Sequence, residues 1–203
     1  MSKSPTRTKR KAAAKKAAVA RKRRVVARKA ATTRKQKTAG RKAATTRKAG
    51  AAGPASVTGM LIRRPVAEVF AAFINPDITA KFWFSKSTGK LEVGKQVHWE
   101  WEMYGFAIPV TAKTIEPNER IVIEWPGYKN LTTVEWTFKP LDDGSTFVRI
   151  SESGFAGTGD DVTKRVASST EGFSLVLAGL KALLEHNVQL NLVPDRFPKG
   201  IER

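Results

Sequence analysis

Few residue types in this 203-residue chain can carry covalent chemistry. Cysteine is absent and histidine occurs only as His98 and His186. That excludes thiol nucleophiles, disulfides and Cys-ligated zinc or iron–sulfur sites, and it makes a nitrogen-rich metal site hard to assemble. No catalytic residue, cofactor or metal is therefore expected. Ser151 and Ser153 have no histidine within predictable reach, so a nucleophile–base pair cannot be built from them. His98 alternates with Glu100 and Glu102 on one face of a predicted strand, a solvated face on which the carboxylates meet Lys113 or Arg149 across the sheet. Gly154, Gly157 and Gly159 precede a helix as phosphate loops do, but Asp160 and Asp161 follow with no lysine, and that combination repels phosphate. Glu152 is in phase with Val148 and Ile150. It is either an inward carboxylate at a pocket rim or, if the strand's phase breaks at Gly154, an outward one.

Two other chemistries are better supplied, and the first is phosphate neutralisation. Lysine and arginine number 37 against 18 acidic residues, a net charge of +19. Residues 1–53 hold 20 of the basic residues and no acid, so the rest of the chain is close to neutral. Lys9, Arg10, Lys11, Lys15, Lys16, Arg21, Lys22, Arg23, Arg24, Arg28, Lys29, Arg34, Lys35, Lys37, Arg41, Lys42, Arg47 and Lys48 are heads able to displace the counterions condensed on a nucleic-acid backbone, DNA or RNA, with little regard to sequence. The octet from Arg28 to Lys35 recurs unchanged from Arg41 to Lys48, a duplication too short to be a solenoid repeat. With only Met1, Val19, Val25 and Val26 as larger apolar residues, the segment cannot offset the entropy of ordering and is predicted to be a disordered tail.

In composition the tail resembles the Lys/Ala-rich tails of linker histones and bacterial histone-like proteins. A mitochondrial transit peptide would need an amphipathic face, which a segment without Leu, Ile, Phe or Trp cannot form. A polybasic membrane-surface segment would need an amphipathic helix or lipidation motif beside it. The expected setting is cytoplasmic and nucleoid-associated, with Arg21–Arg24 as a nuclear address in a host that has a nucleus. No stretch is apolar enough for a membrane span.

The second chemistry is aromatic burial. All 17 aromatic residues follow position 53, so one domain over residues 54–190, with an extension over 191–203, must hold the core. Alternation predicts a first strand over 56–63, and helical spacing of Val66, Val69, Phe70, Phe73 and Ile74 predicts a short helix to about Asn75. Asn75-Pro76-Asp77 stops it and starts another, to about Phe82. Five alternating strands follow over 97–103, 107–115, 120–125, 131–139 and 145–153, each with one apolar face, as in an antiparallel sheet covered on one side. Pro109 suggests an edge or bulge. A stripe from Val162 through Phe173, Leu177 and Leu180 to Leu184 makes residues 160–187 one long covering helix. From 188 the chain, with its two prolines, is expected to trail off.

The stretches Pro65-Val-Ala-Glu-Val-Phe70, Lys81-Phe-Trp-Phe84, Trp99-Glu-Trp-Glu-Met-Tyr-Gly105, Ile121-Val-Ile-Glu-Trp125, Glu152-Ser-Gly-Phe155 and Thr170-Glu-Gly-Phe173 lend specificity to this order of elements. Together, over residues 56–188, they resemble the START-like (SRPBCC, birch-pollen-allergen-like) superfamily, in the branch named after the activator of heat-shock protein 90 ATPase. The resemblance implies an α+β helix-grip fold, a curved antiparallel sheet wrapped around a long C-terminal helix, often with an apolar cavity between them. By sheet or helix face, Trp99, Trp101, Met103, Ile123, Trp125, Trp136, Phe138, Phe173 and Leu177 are the candidate walls of that cavity, or else simply core. Four indoles on one face favour a cavity, since they seldom close-pack without polar partners or gaps. The resemblance also implies two alternatives to a ligand-holding module: a small-molecule cyclase or hydrolase, and a chaperone co-factor acting through the outer sheet face. The N-terminal domain of the eukaryotic activators is replaced here by the basic tail, so the chaperone role does not carry over.

Overall fold

The computed structural model describes residues 53–198, and the nucleic-acid contacts assigned to Lys9 through Lys48 lie outside the described residues. Strand β1 (Ser56–Ile62) opens the fold. The Pro65 carbonyl then accepts from the amides of Glu68 and Val69 and starts helix α1 (Val66–Ile74), whose core face is Val69, Phe70, Ala72 and Phe73. Asn75 ends α1 and caps α2 (Pro76–Thr79), its side chain accepting from the Asp77 amide at 3.2 Å. Pro76 fits the first turn because no intrahelical partner awaits its missing N–H. This second helix stops short of the expected Phe82. The Thr79 hydroxyl donates back to the Ala72 carbonyl at 2.6 Å, and the turn that follows carries Phe82, Trp83 and Phe84 into the interior.

The remaining strands are β2 (Lys86–Ser87), β3 (Gln96–Trp101), β4 (Phe106–Glu116), β5 (Arg120–Pro126), β6 (Leu131–Pro140) and β7 (Thr146–Ser153). They form one antiparallel sheet with β1, in the order β1-β7-β6-β5-β4-β3-β2. Period-2 burial holds along it: in β7, Thr146, Val148, Ile150 and Glu152 are buried while Phe147 and Arg149 are exposed. Two local expectations are corrected. β3 ends at Trp101, and Glu102–Tyr104 forms a 3-10 turn, so Met103 leaves the strand's phase. Pro109 sits in a strand with neighbours on both sides, so the edge it marks is a local one beyond the end of the β5 ladder, and the register shift falls elsewhere, between Ala112 and Thr114. It is tolerated because it lies opposite His98, whose N–H and carbonyl both bond toward Thr88, while the β5 ladder reaches only to Thr111.

Helix α3 (Gly159–His186) covers the sheet with Val162, Phe173, Val176, Leu177, Leu180 and Leu183. Asp160 and Asp161 stand at its positive end and Asn187, at φ 55°, terminates it. The same helix seals the open edge of β1. The Ser56 and Ser169 hydroxyls lie 2.8 Å apart and those of Thr58 and Ser174 2.9 Å apart, while the Lys181 ammonium donates to the Leu61 carbonyl at 2.8 Å. The chain beyond α3 does not trail off: Val193 is buried and Pro194–Arg196 forms a 3-10 turn against the domain. The whole is the α+β arrangement that the periodicity implies.

Candidate functional site

Trp83, on the turn after α2, stands at the centre of the interior. Its ring lies 4.9 Å from Trp99 and 5.9 Å from Trp136 on one side, and 6.1 Å from Trp125, 6.4 Å from Trp101 and 5.9 Å from Phe173 on the other. Gly179 lets α3 pack closely on this turn, since a Cβ there would lie 3.3 Å from the Phe82 carbonyl oxygen, a tight contact. On the first side Phe73, Leu91, Trp99, Ile121 and Trp136 close around a gap with no room for a water molecule. On the other side a cleft of about 380 Å³ opens between sheet and helix.

Four strands, the long helix and the C-terminal segment contribute to that cleft. β3 supplies Trp101, β4 Phe106, β5 Trp125 and β7 Glu152; α3 supplies Arg165, Ser168, Ser169, Gly172, Phe173 and Val176. The 3-10 turn supplies Tyr104, and the C-terminal segment supplies Val193, Arg196 and Phe197. Flat faces dominate: Trp125 stacks on Phe173 at 5.9 Å and 13°, and Trp101 on Phe106 at 5.2 Å and 23°. The C-terminal segment is strapped across by the Tyr104 hydroxyl, which donates to the Val193 carbonyl, and by Arg196, which donates to the Ser168 carbonyl at 3.0 Å and the Glu171 carboxylate at 2.7 Å. Arg196 lies so close to the helix that a Cβ on Gly172 would sit 3.0 Å from a guanidinium nitrogen. At the helix's first turns Arg165 covers the Tyr128 ring at 3.8 Å.

Glu152 is the buried charge of the cleft, 6% exposed. The strand keeps its phase through it, so the carboxylate faces inward. Its Oε1 accepts from the Trp125 indole at 2.9 Å and from the Thr132 hydroxyl at 2.6 Å, and its Oε2 accepts from the Ser169 hydroxyl at 2.6 Å. Three donors thus offset the cost of holding a carboxylate among aromatic rings.

Of the residues that the sequence proposes as walls, Trp101, Trp125 and Phe173 line the cleft. Trp99 and Trp136 belong to the closed side, and Ile123, Phe138 and Leu177 are packed core. The indole N–H of Trp136 is buried without an acceptor. Met103 borders a separate hollow of about 90 Å³, its sulfur accepting from the Ser85 hydroxyl at 3.9 Å. Sequence reasoning missed Trp83, Tyr104, Phe106, Arg165, Ser169, Arg196 and Phe197. A usable signal existed on α3, where small and polar residues at 165, 168, 169 and 172 interrupt the apolar stripe between Val162 and Phe173.

Elsewhere, His98 is exposed. Glu102 pairs with Lys86 and Glu124 with Lys113, in place of the expected partners of Glu100 and Glu102. Among the described residues no three metal-ligating side chains converge, and no helix is long and apolar enough to cross a membrane. A charged hollow of about 540 Å³ lies at the C-terminal end of α3, lined by Arg64, Glu68, Lys81, Glu185 and His186. Burial there pushes Glu185 up, but the Lys181 ammonium at 2.5 Å and the Arg63 amide at 2.7 Å outweigh it and hold the carboxyl below its ordinary range.

Comparison with known proteins agrees with this architecture. Residues 63–185 match the family described as activator of Hsp90 ATPase homolog 1-like protein. Among curated proteins, none matches the chain. Among solved structures, a protein of Staphylococcus saprophyticus is 28% identical, with a TM-score of 0.58 over 68% of this chain and 96% of its own. A protein of Mesorhizobium loti, 20% identical, gives a TM-score of 0.58 over 66% of this chain and 99% of its own. The Aha1 dimer of Colwellia psychrerythraea, solved in solution, is 19% identical and gives 0.57 over 66% and 98%.

Proposed function

The chain belongs to the family of activator of Hsp90 ATPase homolog 1-like proteins, and from that premise we propose that residues 54–190 bind a small, largely apolar molecule while residues 1–53 tether the protein to nucleic acid. The observation that carries the first half is the cleft beside Trp83. It is walled by flat aromatic faces, its volume of about 380 Å³ falls in the range of small-molecule sites, and the gap among Phe73, Trp99 and Trp136 on the other side of Trp83 is closed to water. Neither histidine lines it, so a cyclase or hydrolase reading gains nothing from it. The second half rests on charge alone, twenty basic residues with no acid, and would hold the protein on the nucleoid, or in the nucleus of a eukaryotic host.

Two measurements test the two halves separately. Tryptophan fluorescence of residues 54–203 titrated with an apolar aromatic probe should change saturably, because Trp83, Trp101 and Trp125 all border the cleft; no change up to the probe's solubility overturns the first half. Full-length protein should bind duplex DNA without sequence preference, and residues 54–203 should not. If the tail neutralises about 8 phosphates, log K falls against log salt with a slope of about −7. A flat salt dependence overturns the second half.

A further inference from the structure

Resting on that reading of the cleft, we propose that its ligand is an aromatic molecule carrying an O–H or N–H donor, and that Glu152 is the residue that recognises it. A carboxylate offers about four lone-pair positions. Three are taken, two on Oε1 by Trp125 and Thr132 and one on Oε2 by Ser169. No donor among the described residues fills the fourth, although the carboxylate is 6% exposed and borders the cleft. The Ser169 hydroxyl gives its proton to Glu152, so it accepts from Ser56, which is itself buried. This relay fixes the orientation of Oε2 and leaves its last lone pair for a ligand.

The aromatic part follows from the same residues. Trp125 stacks on Phe173 through its face and donates to Glu152 through its edge. A ring lying along the edge of that stacked pair carries a substituent to the carboxylate. A substituent with a donor completes the set. One with only an acceptor, or none, leaves a buried carboxylate lone pair facing an oxygen or a methyl group. Hydrogen bonds to charged groups discriminate by roughly ten- to a hundredfold, because the unfilled alternative keeps its desolvation penalty.

The test uses three probes of one ring system on the full chain: 2-naphthol, 2-methoxynaphthalene and 2-methylnaphthalene, with affinities read by tryptophan fluorescence. The naphthol should bind at least about tenfold tighter than either non-donor. In Glu152→Gln the amide presents a donor where Oε2 was, and the preference should fall below about threefold. In Ser169→Ala the carboxylate loses a protein donor, and the preference should rise. This second variant, with the wild-type ranking, decides the matter if Glu152→Gln does not fold. Equal affinities of the three probes for the wild type overturn the inference and leave the cleft reading standing. A naphthol preference that survives Glu152→Gln or is unmoved by Ser169→Ala assigns recognition elsewhere and also overturns it. Binding of none of the three overturns the cleft reading itself.

Discussion

The two sides of Trp83 are built from the same kinds of residue and end in opposite states. On one side Trp99 and Trp136 are 2% and 1% exposed and the space among the rings admits no water. On the other, Trp101, Trp125 and Phe173 border a cleft of about 380 Å³. The sheet does not make the difference, because both sides take large indoles from alternating strand positions. The helix does. Toward its C-terminal half α3 buries Leu177, Leu180 and Leu183, and α1 adds Phe70 and Phe73, whose rings meet Phe138 at 5.2 and 5.8 Å. In its N-terminal half the cleft-lining positions include Ser168, Ser169 and Gly172, too short to reach the opposing rings. The cleft lies where the helix presents short side chains, and there two hydroxyls and an indole N–H supply the donors that hold the Glu152 carboxylate.

The sharpest way to break this comparison is to cut a side chain on each side. Leu177 is fully buried, so Leu177→Ala should cost about 2 to 5 kcal/mol of stability in chemical denaturation and leave probe affinity unchanged. A cost under about 1 kcal/mol would mean that the closed side is not close-packed. Phe173→Ala should cost near or below the low end of the roughly 3 to 5 kcal/mol that truncating a buried phenylalanine costs, because one face of the ring borders the cleft and has fewer partners to lose. Probe affinity should change more in this variant than in Leu177→Ala.

The fastening of the helix differs between its ends in the same sense, and pH separates the two. At the closed end Glu185 holds Lys181 and the Arg63 amide; at the cleft end the links to β1 are hydroxyl pairs that do not titrate at ordinary pH. Glu185 is held below its ordinary range in the fold. Its contribution is therefore complete above the unfolded glutamate value of about 4.3 and is lost as pH falls through the lower folded value. Glu185→Gln should lose about 1 to 2 kcal/mol at pH 7, and its difference from wild type should shrink on acidification below about pH 4. A difference that stays constant with pH would show that the carboxylate's charge does not fasten the helix.

Most of the fold was legible from periodicity, because an alternating strand and a 3.6-residue stripe each leave one apolar face that has a single place to go. Strand boundaries from β4 to β7 fall within a residue or two of the alternation, and the α3 stripe marks the covering helix. The site was legible only in part. Strand phase identifies which face Trp99, Trp101, Trp125 and Trp136 occupy, but it carries no information about what stands opposite, and that decided which of them pack and which border a cleft. Trp83 lies in a turn without periodicity, so nothing local announces that it divides the interior. Glu152 was ambiguous for a related reason: whether the phase survives to the end of β7 depends on Thr132, Ser169 and Trp125, donors from three other elements. The segment after α3 reads as a tail because its contacts, from Tyr104 and to Ser168 and Glu171, are all with residues distant in sequence.

The smallest effect on stability should come from Phe106, and it separates the two sides most cleanly. Phe106 is 47% exposed while its ring stacks on both Trp101 and Tyr104. Phe106→Ala removes a ring that contributes little to the core, so stability should stay within about 0.5 kcal/mol of wild type. The cleft nevertheless loses part of its wall, and an aromatic probe loses contact area and a stacking surface there. Affinity should fall several-fold, by about the 0.5–1.5 kcal/mol that an aromatic pair contributes beyond burial. On the closed side no substitution should behave this way, because residues there have no face that is not already in contact with the core. If Phe106→Ala leaves probe affinity unchanged while Phe173→Ala alters it, the ligand lies deep against Trp125 and Glu152 and the outer wall is only a rim. If Phe106→Ala costs as much stability as Leu177→Ala, both sides of Trp83 are packed alike, and the contrast between them is one of exposure rather than of cavity.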